Sequence, residues 1–113
     1  MPVIENILTH SIATDFTRTP GPRFIVQGPS SGEQFRNEFL EPWFLEARQN
    51  GLRLRVDLDG GYGYAPSFLE EAFGGLARIY AISDVLSTIE IKTEEEPMLG
   101  ERIQKYIQEA RKK

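Results

Sequence analysis

The chain has 113 residues, a formal charge of −4 at neutral pH, no Cys and a single His, His10. Without Cys there is no disulfide framework or thiolate metal site, and one His makes no multi-histidine cluster. The net negative charge and scattered Lys and Arg argue against a nucleic-acid partner, since phosphate contacts need concentrated cations.

Hydrophobic residues make up 40% of the chain and aromatics 11%, spread along its whole length, which fits one globular domain rather than disorder. No apolar run approaches the ~20 residues of a membrane span. The N-terminus lacks the charged-then-apolar layout of a signal peptide. The expectation is a soluble cytoplasmic domain with no membrane partner.

Residues Ile4 to Ala13 are expected to form a first strand, with Ile7, Leu8 and Ile12 supplying its apolar weight. Thr19-Pro20-Gly21-Pro22 is a strong turn signal, and Arg23-Phe24-Ile25-Val26 after it reads as a second strand in a hairpin with the first. Ser30 is expected to open the first helix, with Glu33 three residues later completing a capping box. Phe35, Phe39, Trp43 and Ala47 recur every four residues and predict one buried stripe. Pro42 interrupts that ladder, so a kink is expected there. Asn50-Gly51 ends the helix with residues that tolerate a left-handed backbone.

From Leu52 to Asp59 the alternation is clean: Leu52, Leu54, Val56 and Leu58 on one face, Arg53, Arg55, Asp57 and Asp59 on the other. A strand buried on both faces would be apolar throughout, so the sheet should carry helices on one side and a more exposed opposite face. The loop Gly60-Gly61-Tyr62-Gly63-Tyr64-Ala65-Pro66 follows, and then Ser67 and Glu70, which have capping-box spacing ahead of a helix from Phe68 to about Tyr80. Gly74-Gly75 inside this helix costs ~1 kcal/mol per residue relative to Ala, and close approach to the sheet is the expected compensation. Thr88 to Lys92 alternates as a last strand, and Pro97 at a first helical position opens a third amphipathic helix through Leu99, Ile103, Tyr106 or Ile107, and Ala110. The expected order is β-β-α-β-α-β-α in a single α/β domain, with parallel pairing across the strand–helix–strand units.

Ser67 is the leading candidate site residue, because a hydroxyl at a helix start on the carboxyl edge of a sheet serves as a cap or as a switch. Tyr62, Tyr64 and Phe68 flank it and suit a partner surface. Asp57 is the better functional candidate of the two strand carboxylates, although solvated or Arg-paired carboxylates are the common outcome. Ser31 and Arg36, at the first helix start, are secondary candidates. Gly60-Gly61-Tyr62-Gly63 lacks the Gly-Lys-Ser/Thr ending of a phosphate loop and the spacing of a dinucleotide fingerprint. Ser67 lacks the Gly-x-Ser-x-Gly of a nucleophile elbow. No catalytic constellation assembles, and no metal or cofactor is expected.

Three stretches together resemble the STAS-like family of small bacterial domains of unknown function, distant relatives of the STAS domains in anti-sigma factor antagonists. They are Ser31-Gly32-x-x-Phe35-Arg36, Val56-Asp57-Leu58 and, above all, Ser67-Phe68-Leu69-Glu70-Glu71-Ala72-Phe73-Gly74-Gly75-Leu76, within about Asp15 to Lys92. The resemblance implies a mixed sheet of about four strands with helices mainly on one face. It also implies that Ser67 matches the serine that a histidine-kinase-like ATPase phosphorylates in the antagonists. Those proteins read Asp-Ser-Ser-Gly where this chain has Ala65-Pro66-Ser67-Phe68, so the partner class carries over better than the modification. A non-enzymatic interaction or signalling module is the leading expectation. The alternative is a small-ligand or nucleotide-binding domain that uses the free amides at the Ser67 helix start.

Overall fold

The computed structural model describes residues 6–110. Among these, three strands, β1 (Ile7–Ser11), β2 (Arg53–Asp57) and β3 (Ile89–Lys92), form one sheet in the order β1-β2-β3. Both pairings are parallel. The register puts Leu8, Leu54 and Ile89 side by side, and then His10, Val56 and Ile91. Because successive side chains alternate, this row faces the core, while Thr9, Arg55 and Glu90, then Ser11, Asp57 and Lys92, share the polar face. Arg55 pairs with Glu90 there, across adjacent strands.

Among the described residues five helices complete the fold. α1 (Ile12–Asp15) is a single turn capped by Ser11, whose hydroxyl accepts from the Thr14 amide at 3.1 Å. α2 spans residues 32–49, as Gly32–Phe35, a π turn Arg36–Leu40 and Glu41–Gln49. α3 spans 66–79 in the same manner, as Pro66–Leu69, a π turn Glu70–Gly74 and Gly75–Ile79. α4 is Ile82–Thr88 and α5 is Met98–Gln108. Their apolar faces join Leu54 and Val56 of the sheet, and Leu58 just past the end of β2, around Phe35, Phe44, Phe68 and Phe73, all essentially buried. Each such side chain contributes about 1.5–3 kcal/mol through burial.

Several expectations are corrected. Among the described residues the sheet has three strands, all parallel, and neither a fourth strand nor a mixed pairing is found there. Arg23–Val26 forms no strand and no hairpin: Ile25–Gln27 is one 3₁₀ turn. Side chains satisfy its amides in place of a ladder, since Phe24 N–H donates to Gln27 Oε1 and Ile25 N–H to Glu33 Oε1, each at 2.9 Å. The first strand is shorter than expected because Ser11 starts α1, and its expected beginning at Ile4 lies outside the described residues. The cap of α2 is Ser31, one residue later than expected, accepting from the Gln34 amide at 2.9 Å. Ser30, at φ 59°, donates its amide to Gln34 Oε1.

Pro42 falls two residues after the end of the π turn of α2. Proline has no N–H for the carbonyl four residues back and its ring crowds that oxygen, so a widened turn just ahead of it relieves both problems. The α4 helix is new, formed by a short Ile82, Val85 and Leu86 pattern. Pro97 is the cap of α5 rather than its first helical residue.

Candidate functional site at the carboxyl edge of the sheet

Asp57 closes β2 and turns the chain, its Oδ1 accepting from the Asp59 amide at 2.9 Å. Asp59 then ties the two neighbouring strand ends together. It accepts from the amides of Glu94 and Glu95, each at 2.9 Å, and from Lys92 Nζ at 3.0 Å. The Glu95 amide is the largest cause holding the Asp59 carboxyl below its ordinary range, and burial works against it. Lys92 is held well above its ordinary value by Glu94 and Asp59. Asp57 and Asp59 therefore share Lys92 rather than standing as a free carboxylate pair.

The glycine loop is packed from beneath by Tyr64. Its hydroxyl donates to the Leu58 carbonyl at 2.8 Å, its ring lies 5.9 Å from that of Phe68, and burial pushes its phenol up. Gly61 is required here, since an added Cβ would sit 2.8 Å from the Tyr64 oxygen. Tyr62, by contrast, is 82% exposed.

Ser67 does not cap α3. Ala65 occupies the cap, Pro66 the first helical position, and no side chain makes a cap hydrogen bond. The pyrrolidine ring is pre-set for a first helical residue, which moves the start ahead of Ser67 and leaves the Ser67–Glu70 box unformed. Ser67 is half-buried beside exposed Ala65 and Pro66. Phe68 is fully buried, 5.9 Å from the Phe35 ring, and belongs to the core rather than to a partner surface. Ser31 is likewise fully buried and employed in capping α2. The two helix starts are pressed together: a Cβ on Gly32 would lie 2.4 Å from the Phe68 carbonyl oxygen.

One turn beyond Ser67 lies an ionic cluster that motif reading missed except for Arg36. Arg36 pairs with the Glu71 carboxylate and donates from Nη1 to the Glu71 carbonyl at 2.9 Å. Arg23 binds Glu70, and Arg78 reaches the same carboxylate at 2.8 Å. The Arg78 hydrogen bond is the largest cause holding Glu70 below its usual range, with Arg23 adding to it against desolvation. Arg23 is raised in turn, chiefly by its Glu70 bond. The cluster joins the 21–30 loop, α2 and α3, and it bridges the two π turns. Gly74-Gly75 finds its compensation here rather than against the sheet: Cβ atoms would lie 2.8 Å from Glu70 Oε2 and 2.4 Å from Arg36 Nη1. The available signal was Glu71, which stands three residues after Phe68 on the inward face of an apolar helix and so requires a buried cation.

The model of the STAS-like domain of unknown function (DUF4325) matches residues 31–98, from the α2 cap to the start of α5, and the chain belongs to that family. No curated protein and no solved structure matches it. Among the described residues no helix is long and apolar enough to cross a membrane.

Proposed function

We propose that this STAS-like domain is a non-enzymatic protein-interaction or signalling module whose Ser67 edge meets another protein. A histidine-kinase-like ATPase is the partner class that the family resemblance favours. One observation carries the reading: Ala65 and Pro66 start the helix, so the Ser67 hydroxyl is not consumed as a cap. Beside it, Tyr62 offers an exposed aromatic ring of the kind enriched at interfaces. Asp57 and Asp59 serve as a brace between strand ends, which suits a scaffold better than acid–base work.

A phosphate on Ser67 would sit within the first turn of α3, where the helix dipole favours negative charge, so the fold should accept it. Glu70 and Glu71 follow one turn later, and the added charge would favour a basic partner surface over an acidic one. The nucleotide-binding alternative gains nothing, since Pro66 removes one helix-start amide and residues 60–66 contain no Lys. The test is binding to the ATPase recovered with the wild-type protein. Ser67→Asp and Tyr62→Ala should each change affinity at least tenfold, ~1.4 kcal/mol, with little change in thermal stability. Unaltered binding by both variants would remove this edge as the interface.

A further inference from the structure

Away from the Ser67 edge, the outer side of β3 carries no neighbouring strand among the described residues. Beside it runs a groove of about 390 Å³, walled by Leu86 of α4, Ile89 and Ile91 of β3, and Ile103 and Ile107 of α5. Three further features give the groove a specific shape and polarity.

The first is Gly100, within α5 and on the groove lining. Glycine inside a helix costs about 1 kcal/mol relative to Ala. At Gly32, Gly74 and Gly75 a crowded neighbour explains the cost, but a Cβ on Gly100 would meet only Thr93 Cγ2, in ordinary contact at 3.8 Å. Packing within the chain does not require this glycine; what it does is keep the groove open. The second is Arg53, which also lines the groove and whose guanidinium has no hydrogen-bond or ion-pair partner among the described residues. The third is Glu101, on the same lining but in the first turn of α5. Arg53 opens β2 at the amino end of the sheet, whereas the first turn of α5 follows the carboxyl end of β3. The cation and the anion therefore mark opposite ends.

We propose that this groove docks an extended peptide segment of a partner protein, which adds to β3 as a fourth strand. Main-chain hydrogen bonds to the open edge supply the affinity, and alternate aliphatic side chains enter the groove. The charged ends fix the direction. A carboxylate at Arg53 and a basic residue at Glu101 make the segment run antiparallel to β3. From Gly100 to Ile107 the helix rises about 10 Å, the length of about three extended residues. Such pairing also covers an edge that would otherwise present unpaired backbone groups.

The probe is a synthetic pentapeptide, acetyl-Lys-Val-Thr-Ile-Val with a free carboxylate, titrated into the full chain and followed by amide chemical shifts. Saturable shifts are expected at Ile89–Lys92 and along the Gly100–Gln104 turn. Amidating the peptide carboxylate, or Arg53→Gln, should weaken binding about tenfold. Gly100→Met should abolish binding by filling the groove while its denaturation midpoint stays at or above that of the wild type. The proposal is overturned by an absence of groove shifts at millimolar peptide, or by full affinity in Gly100→Met. It is equally overturned by sedimentation showing that the β3 edge pairs with a second copy of the chain. The groove is separate from the Ser67 edge, so failure here leaves the proposed function standing, and failure of Ser67→Asp leaves the groove standing.

Discussion

Replacing Arg36 with Ala removes a guanidinium from a site where it and the Glu71 side chain are each only 12% exposed. Two interactions go: the ion pair with the Glu71 carboxylate and the 2.9 Å hydrogen bond to the Glu71 carbonyl. The stranded carboxylate retains only Arg23 at 3.4 Å and Arg78 at 3.9 Å. Breaking a buried pair by removing one partner costs about 3–5 kcal/mol, and these residual cations place Arg36→Ala near the lower end. Glu71→Ala should cost a similar amount, because it strands Arg36, whose Nε has no hydrogen-bond partner among the described residues.

The double variant Arg36→Met/Glu71→Leu removes both charges and keeps most of the volume, so it should fall within about 1 kcal/mol of wild type. That loss falls far short of the roughly 6 kcal/mol sum of the two single losses, which marks the two sites as coupled. Urea denaturation measures all three variants, provided the dependence on denaturant stays constant. Single variants that each cost less than about 1 kcal/mol, and that simply add in the double, would show that the pair behaves like a surface contact. The account of the two π turns as built around it would then be wrong.

The two serines at helix starts should separate cleanly. Ser31→Ala removes a buried cap and should cost about 1 kcal/mol, whereas Ser67→Ala should stay within about 0.5 kcal/mol; equal losses in chemical denaturation would contradict the assignment of Ala65 as the α3 cap. Acid should weaken the fold through Glu70 and Asp59, whose folded-state values lie below the ordinary 4.5 and 3.8. Their contribution is complete above those ordinary values and is lost as pH falls through the lower folded-state ones, because the unfolded chain binds protons first. Denaturation midpoints should therefore decline below about pH 4.5 and decline less in Glu70→Gln; a profile of equal slope in that variant would count against the Glu70 pairing.

What could be read in the sequence depended on the range of the interactions that decide each element. Leu54 and Val56 alternate with charged neighbours, and that local pattern alone identified β2 and its buried face. Arg23–Val26, a short apolar and β-branched run after a turn, also reads locally as a strand, but Gln27 and Glu33 take the Phe24 and Ile25 amides, and nothing within those four residues records that. Ser67 and Glu70 have the spacing of a capping box, but Pro66 is the stronger constraint on where a helix begins and moves the start ahead of Ser67. The ionic cluster draws on Arg23, Arg36, Glu70, Glu71 and Arg78, brought together only once the 21–30 loop lies against both long helices. Arg36 was singled out by its place in a helix start, while Arg23 and Arg78 carried no motif at all.

The π turn in α2 has a bearing on the aromatic stripe that precedes and follows it. In a straight α-helix each residue turns about 100°, so side chains four apart drift roughly 40° per step. Phe35, Phe39, Trp43 and Ala47 would wind roughly 120° around such a cylinder over their three steps. The wider turn at Arg36–Leu40 unwinds part of that drift, and Phe35, Trp43 and Ala47 all end buried. Spacing by fours is thus the arithmetic of an underwound helix, and it amounts to one residue more than an α-helix needs. Deleting a single residue between Arg36 and Leu40 would restore an ordinary helix and swing the Trp43 indole by about 100°, away from the His10 ring on which it stacks at 4.4 Å.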